Sequence, residues 1–297
     1  MAYFHEKDVI HFCIEKLSSV CGSSVQLQNS CSIGGGCINN AMQLSTSVGN
    51  FFLKWNASAP KDLFEKEAAG LMELSQANSL LVVPKVIFCK KSDDFPGLIL
   101  MEFLLPAGHT LGFDEQLGRG LAQLHRKSAK AFGFHHSNYC GTTVQENTWT
   151  ESWPEFYARH RIGALVDQIQ NSRGFSLDEL KIYRKLIERI PLLLPRETIP
   201  SLIHGDLWSG NYIYTANGAA LIDPACYYAD REMELGMMKL FGGFSSRVWS
   251  AYQEEWPLLA EWKERLRLYQ LYHVLNHYLL FGGSYGRQAL EIARVYL

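Results

Sequence analysis

The stretch His204-Gly205-Asp206-Leu207-Trp208-Ser209-Gly210-Asn211, followed by Leu221-Ile222-Asp223-Pro224, combines residue types and spacings that converge on one kind of chemistry. Phosphoryl transfer needs a carboxylate aimed at the acceptor hydroxyl and oxygen ligands that hold magnesium against the phosphates of ATP. Asp206 and Asn211 stand five apart, the spacing of base and metal-ligand asparagine in the loop HRDLxxxN. Asp223 comes twelve residues later, past a hairpin and at the end of an apolar strand, where the second metal ligand falls. A lone H-x-D is common by chance; the whole series of loop, hairpin, strand and aspartate is not.

That chemistry makes demands upstream. Lys54 lies in the apolar run Phe51 to Trp55, where an unpartnered ammonium is costly, although a lysine at a sheet edge can also extend its stem and keep its charge in water. Glu67, thirteen residues on, borders the apolar stripe of the following helix (Leu63, Gly70, Leu71, Leu74) and is the favoured partner, with Glu65 as the competing choice. Gly34, Gly35 and Gly36 allow a backbone to approach phosphates closely, but they do not form a GxGxxG pattern.

The elements that must carry these residues can be read from periodicity. Extended runs are expected at Val25 to Ile33, Cys37 to Thr46 and Phe51 to Trp55, then a helix capped by Ser58 with Pro60 in its first turn, then strands at Val82 to Cys89 and Leu98 to Leu104. Beyond Leu105-Pro106-Ala107-Gly108 the texture is mainly helical. Leu117, Leu121, Leu124 and His125 form one stripe, and Ser152 with Glu155 and Ser176 with Glu179 match the capping box. A short β-rich island covers Ser201 to His204, Tyr212 to Thr215 and Ala219 to Ile222, the last two joined through Asn217-Gly218. The expected class is α+β: an N-terminal nucleotide-binding lobe over residues 1–104, with an antiparallel sheet and one main helix, and a helical catalytic and substrate-binding lobe over residues 105–297.

Composition narrows the partners. With 28 basic against 30 acidic residues the formal charge is −2, and no basic block offers a footprint for nucleic acid. The longest apolar runs fall short of the ~20 residues of a membrane span, and the N-terminus is charged within its first eight residues, so a soluble, cytoplasmic protein is expected. Seven scattered cysteines without a CxxC pair argue for reduced thiols rather than disulfides or structural zinc. Cys37, beside the glycines, is the one candidate for a redox-sensitive or dimer-linking thiol.

The segments GGGCINN (34 to 40), FFLKWN (51 to 56), NTWTESWPEFYARHRI (147 to 162), HGDLWSGN (204 to 211), IDPACYY (222 to 228) and FGGFSS (241 to 246) resemble the fructosamine kinase, or ketosamine 3-kinase, family in order over nearly the whole chain. The resemblance implies a two-lobed protein-kinase-like fold, close to that of aminoglycoside phosphotransferases. It also implies ATP-dependent phosphorylation of the third-carbon hydroxyl of a small-molecule or protein-bound ketosamine, by a monomer or homodimer. The product is unstable and releases its amine, so the activity amounts to deglycation. By the same resemblance Asp206 is the general base, Asn211 and Asp223 hold magnesium, and Lys54 with Glu67 positions the phosphates. Met101, Glu102, Phe103 and Leu104 fall at the adenine-binding hinge, a role compatible with being the end of a core strand. Trp208 faces either the sugar or the core. Trp149, Trp153, Phe156, Tyr157 and Arg161 belong to a family segment, yet their helical spacing is ordinary for a core. Glu234 is a candidate acceptor for backbone amides of the catalytic loop.

Three other functions compete. A protein kinase would need an activation loop and an Ala-Pro-Glu, but the helical run beginning at Asp230 starts only seven positions after Asp223. An aminoglycoside or choline-type kinase would be expected to line its acceptor site with more acid than Glu254-Glu255. A nucleotide-binding pseudokinase scaffold would need a defect that the motifs do not display.

Overall fold

The alternation of the N-terminal third becomes a sheet covered on both faces. In the computed structural model, which describes residues 5–34 and 39–297, helix α1 (Glu6–Cys21) precedes strands β1 (Leu27–Ser32), β2 (Asn40–Thr46) and β3 (Gly49–Asn56), helix α2 (Leu63–Ser75), and strands β4 (Val86–Lys90) and β5 (Gly97–Glu102). The antiparallel sheet has the order β1-β2-β3-β5-β4. β5, buried along nearly its whole length, sends Leu98 and Leu100 toward α1 and Ile99 and Met101 toward α2. Successive side chains of a strand point to opposite faces, so one central strand supports both helices. Lys54 pairs across the strands with Ile99 and therefore emerges on the α2 face.

Three expectations need correction here. α1 was not anticipated beside the one main helix; its buried Val9, Ile10, Cys13 and Leu17 close the far side of the sheet. α2 starts at Leu63 with Asp62 at its N-cap, not at Ser58, because the Ser58 amide is taken by Asn56 Oδ1 at 2.7 Å in a turn and the Leu63 amide donates to the Pro60 carbonyl. Val82 does not join β4; its amide donates to the Ala219 carbonyl and its carbonyl accepts from the Leu221 amide, which ties the chain before β4 to the later hairpin. Gly35, Gly36 and Cys37 lie outside the described residues, and Gly34 is exposed beside them.

The remainder is mainly helical. It contains α3 (Leu111–His125), the hairpin β6 (Asn138–Cys140) and β7 (Thr143–Gln145), α4 (Trp153–Phe156) continuing through a π-helical segment (Tyr157–Gly163) into α5 (Ala164–Ser172), and α6 (Leu177–Leu193). Then come β8 (Ser201–Ile203), the hairpin β9 (Tyr212–Thr215) and β10 (Gly218–Leu221), β11 (Tyr227–Ala229), α7 (Glu232–Phe241), α8 (Ser246–Glu255), α9 (Trp262–Phe281) and α10 (Tyr285–Val295). Ser176 and Glu179 complete the expected capping box, whereas Ser152 caps α4 through its own side chain only. The stripe Leu117, Leu121, Leu124 and His125 is buried as expected. β8 pairs with β11, which places the loop after Ile203 beside the segment that follows Asp223. Among the described residues no helix is long and apolar enough to cross a membrane.

α3 approaches α8 so closely at Gly118 that an added methyl carbon would stand 2.2 Å from the Val248 carbonyl oxygen. Gly118→Ala is expected to lower the unfolding free energy by roughly 1–3 kcal/mol through overpacking, measured by urea denaturation; an unchanged midpoint would show that the two helices can separate freely.

Candidate active site

An ammonium on the inner face of a sheet must be paired, and Lys54 is paired twice. Its Nζ lies 2.9 and 3.1 Å from the two carboxylate oxygens of Glu67 on α2 and 2.9 Å from Asp223 Oδ1. Burial alone would push the Lys54 ammonium down, but the Asp223 and Glu67 carboxylates more than reverse this and hold it above its ordinary value. Burial raises the Glu67 carboxyl, with Lys54 opposing. The competing Glu65 pairs instead with Lys91, at 3.2 Å. α2 is held at both ends by the C-terminal region: Tyr139 Oη donates to Asp62 at 2.6 Å, while Tyr228 Oη at 2.7 Å and Lys127 Nζ at 2.6 Å meet Glu73.

The loop after β8 is shaped by its own polar groups. The Asp206 amide donates to His204 Nδ1 at 3.3 Å, so Nε2 of a neutral His204 carries the proton that it gives to the Ile222 carbonyl at 2.8 Å. Burial also keeps the His204 imidazole below its ordinary pKa. Gly205 has φ +85°, and an added methyl carbon would stand 2.2 Å from the Ala225 carbonyl oxygen; only glycine lets the loop cross there. Glu234, fully buried on α7, accepts from the His204 amide at 2.5 Å and the Gly205 amide at 3.1 Å, as its place in the sequence allowed. Asn211 Nδ2 reaches back to the Asp206 carbonyl at 2.8 Å and to Asp206 Oδ2 at 3.2 Å. Its side-chain amide oxygen remains available as a ligand. Asp223 adopts φ +56°, the one positive φ among described non-glycine residues, which turns its carboxylate onto Lys54.

Lys54, Glu67 and Asp223 thus form one hydrogen-bonded group and Asp206 with Asn211 another, joined through the Ile222 amide, which donates to the Asn211 carbonyl at 3.0 Å. The remaining candidates divide. Met101 is buried in the core under α2, while Glu102 and Phe103 spend their amides on the Lys85 and Asn50 carbonyls. The half-buried Leu104 amide has no partner among the described residues. Trp208 is 39% exposed, which removes the core alternative, and its indole lies over Gly210, where any side chain would collide with it. Trp153, Phe156, Tyr157 and Arg161 are fully buried; Trp149 is exposed.

Sequence reading missed the support of the Asp223 segment. Gln145 Nε2 donates to the Ala225 carbonyl at 3.1 Å, and Asn138 Nδ2 donates to the Cys226 carbonyl at 2.8 Å. Asn147 and Tyr272 fix these amides in turn, and Arg161 holds Asn147 while stacking 3.8 Å over Tyr227. The available signal was Asn138 and Gln145 flanking Cys140-Gly141, a small polar hairpin whose amides look solvated until their partners are known.

Residues 10–297 match the sequence model of the fructosamine kinase family. The chain belongs to that family. A chloroplastic protein-ribulosamine 3-kinase of Oryza sativa is 40% identical over 282 residues, covering 93% of this chain and 81% of that protein. The ketosamine-3-kinase of Mus musculus is 35% identical over 290 residues, covering 88% and 92%. A crystal structure of a candidate fructosamine-3-kinase from Thermobifida fusca, 30% identical, gives a TM-score of 0.83 over 95% of this chain and 97% of that one. An aminoglycoside phosphotransferase, 14% identical, gives 0.61 over 98% and 99% and shares the fold. In this fructosamine kinase family member only β11 and a short turn separate Asp223 from α7, which leaves no activation segment.

Burial, reinforced by the Glu234 and Asp223 carboxylates and opposed by Asn211 and Lys54, pushes the Asp206 carboxyl up to about 8. A carboxyl that ionises near 3.9 in the unfolded chain then contributes stability that is fully present below that value, falls as pH rises, and is gone above the folded value. Asp206→Asn is therefore expected to melt above the wild type at alkaline pH in metal-free buffer, by roughly 2–4 °C per kcal/mol recovered, with the gap closing toward acid. A gap that stays flat with pH would contradict the raised carboxyl.

Proposed function

We propose that this protein is an ATP-dependent kinase that phosphorylates the third-carbon hydroxyl of a ketosamine, with Asp206 as the base, Asn211 and Asp223 as ligands of magnesium, and Lys54, oriented by Glu67, on the nucleotide phosphates. The carrying observation, in a fructosamine kinase family member, is that Asp223 meets the Lys54–Glu67 pair while its neighbour Ile222 is hydrogen-bonded to Asn211, which in turn bonds Asp206. Its relatives are named protein-ribulosamine 3-kinase and ketosamine-3-kinase. Structures of the same fold are described as complexes with ADP, or with AMP-PNP and calcium.

The residues suit such a ligand. Asn211 and Asp223 offer the oxygen donors that magnesium takes, and the unpaired Leu104 amide supports the reading of residues 101–104 as a hinge between lobes at 1–104 and 105–297. Magnesium and the nucleotide supply the phosphoryl group and the neutralisation of its charge. Asp206 would hold the acceptor hydroxyl and take its proton as that oxygen bonds to the γ-phosphorus of ATP and the bond from this phosphorus to the bridging oxygen breaks, ADP leaving; its raised proton affinity suits that task. Lys54 keeps the phosphates in line while Glu67 keeps Lys54 extended. Trp208, exposed beside Asp206 in sequence, offers an aromatic face on which a sugar ring can stack.

The test is phosphoryl transfer from ATP to a panel of synthetic fructose-, ribulose- and erythrulose-derived amines, with aminoglycosides as controls. The wild type is expected to convert at least one ketosamine to a product that releases its amine, and Asp206→Asn to lose roughly 10²–10⁴-fold in rate while remaining folded. Turnover confined to aminoglycosides would refute the substrate class, and equal rates in the two proteins would refute the base.

A further inference from the structure

Asp206 belongs to a second constellation that the phosphotransfer chemistry does not use. β6 contributes Cys140 and α9 contributes His273, and the thiol sulfur, an imidazole nitrogen and an Asp206 carboxylate oxygen all lie within 4.8 Å of one another. Cys140 is 2% and His273 1% exposed. His273 Nδ1 and Asn276 Oδ1 are buried without a hydrogen-bond partner among the described residues, an arrangement that folded proteins rarely leave without a ligand or water. Asn276 Nδ2 donates to Cys140 Sγ at 3.2 Å, the kind of contact that supports a thiolate ligand.

We propose that Cys140, His273 and Asp206 form a three-ligand site for a zinc-class divalent cation, and that its occupation silences the kinase by removing the catalytic carboxylate. Sulfur and imidazole donors select zinc over magnesium, which takes oxygen donors. Three protein ligands with a fourth position for water is an established zinc arrangement. As the metal–sulfur bond forms, the Cys140 proton passes to solvent. The site is distinct from Asn211 and Asp223, so a filled site leaves the oxygen ligands of the nucleotide-bound metal in place and takes the group that the acceptor hydroxyl needs. Only the inhibitory half of the proposal rests on the functional reading above.

Cobalt(II) is the direct probe, titrated into the full-length protein without nucleotide. One equivalent is expected to give a thiolate-to-cobalt charge-transfer absorption that Cys140→Ser abolishes, and His273→Gln is expected to weaken the titration by roughly tenfold or more. In turnover assays with excess magnesium, zinc is expected to compete with the ketosamine and not with ATP, to be reversed by a chelator, and to need roughly tenfold more metal in Cys140→Ser. Absence of the absorption overturns the site. So does an absorption that persists in Cys140→Ser, which would assign the metal to a different one of the seven cysteines. A cobalt site without zinc inhibition overturns the silencing role. If no ketosamine is turned over, the cobalt spectrum still decides the site separately from the functional reading.

Discussion

Lys54 stands where a sheet, a helix and a distant loop meet, and the solvation of its charge constrains all three. A buried ammonium left unpaired would cost several kcal/mol, so β3, α2 and the Asp223 turn must be brought within hydrogen-bonding distance of one atom. Glu67 comes from thirteen residues away and Asp223 from the other end of the chain, across the proposed lobe boundary. This bridge therefore registers the N-terminal sheet against the Asp223 turn. The tethers at Asp62 and Glu73 set the pitch of α2, and Ile99 and Met101 set its distance from the sheet. Each of these contacts matters to chemistry because each fixes where the Lys54 nitrogen ends.

The same constraint leaves the cleft electrically unbalanced. Glu67, Asp223, Asp206 and Glu234 are acidic neighbours in this region, and Lys54 is the cation that opposes them. Each has a local justification: Glu67 orients Lys54, Glu234 satisfies two loop amides, and Asn211 donates to Asp206. Burial raises the proton affinity of Asp206, and the Glu234 and Asp223 carboxylates add to that rise while Asn211 and Lys54 oppose it.

What the sequence disclosed follows from which demands are local. The Asp206, Asn211 and Asp223 series was legible because a loop of fixed length must aim its groups at one point, and fixed length appears as fixed spacing. Lys54 and Glu67 were legible because a charge in an apolar strand and a carboxylate beside a helical stripe each contradict their surroundings and answer one another. α1 was not legible as a component of the sheet, since its apolar positions acquire meaning only against Met42, Leu53 and Leu100. The start of α2 was misplaced because a serine shortly before a proline has the look of a cap, and only the turn closed by Asn56 shows that the Ser58 amide is already taken. The amide network of Asn138, Gln145 and Asn147 was invisible for the same reason: a polar side chain announces burial only through its partners.

Those amides explain how Asp223 can stay in a conformation that non-glycine residues rarely adopt. A positive φ at an aspartate is unfavourable, and such strain persists only where the surroundings over-determine it. Here the following backbone is gripped at Ala225 by Gln145 and the His204 carbonyl, and at Cys226 by Asn138, while the preceding residue, Ile222, donates to Asn211 and accepts from His204. With both flanks clamped, the peptide at Asp223 has little freedom except the turn that faces Lys54. The Asp206 loop and the Asp223 segment therefore cannot be adjusted separately. His204 bonds to Ile222 through its side chain and to Ala225 through its carbonyl, and the Gly205 crossing admits no side chain between them. The fold thus builds the two loops as one unit, and the hydrogen bonds that give them a common geometry also offset the conformational cost at Asp223.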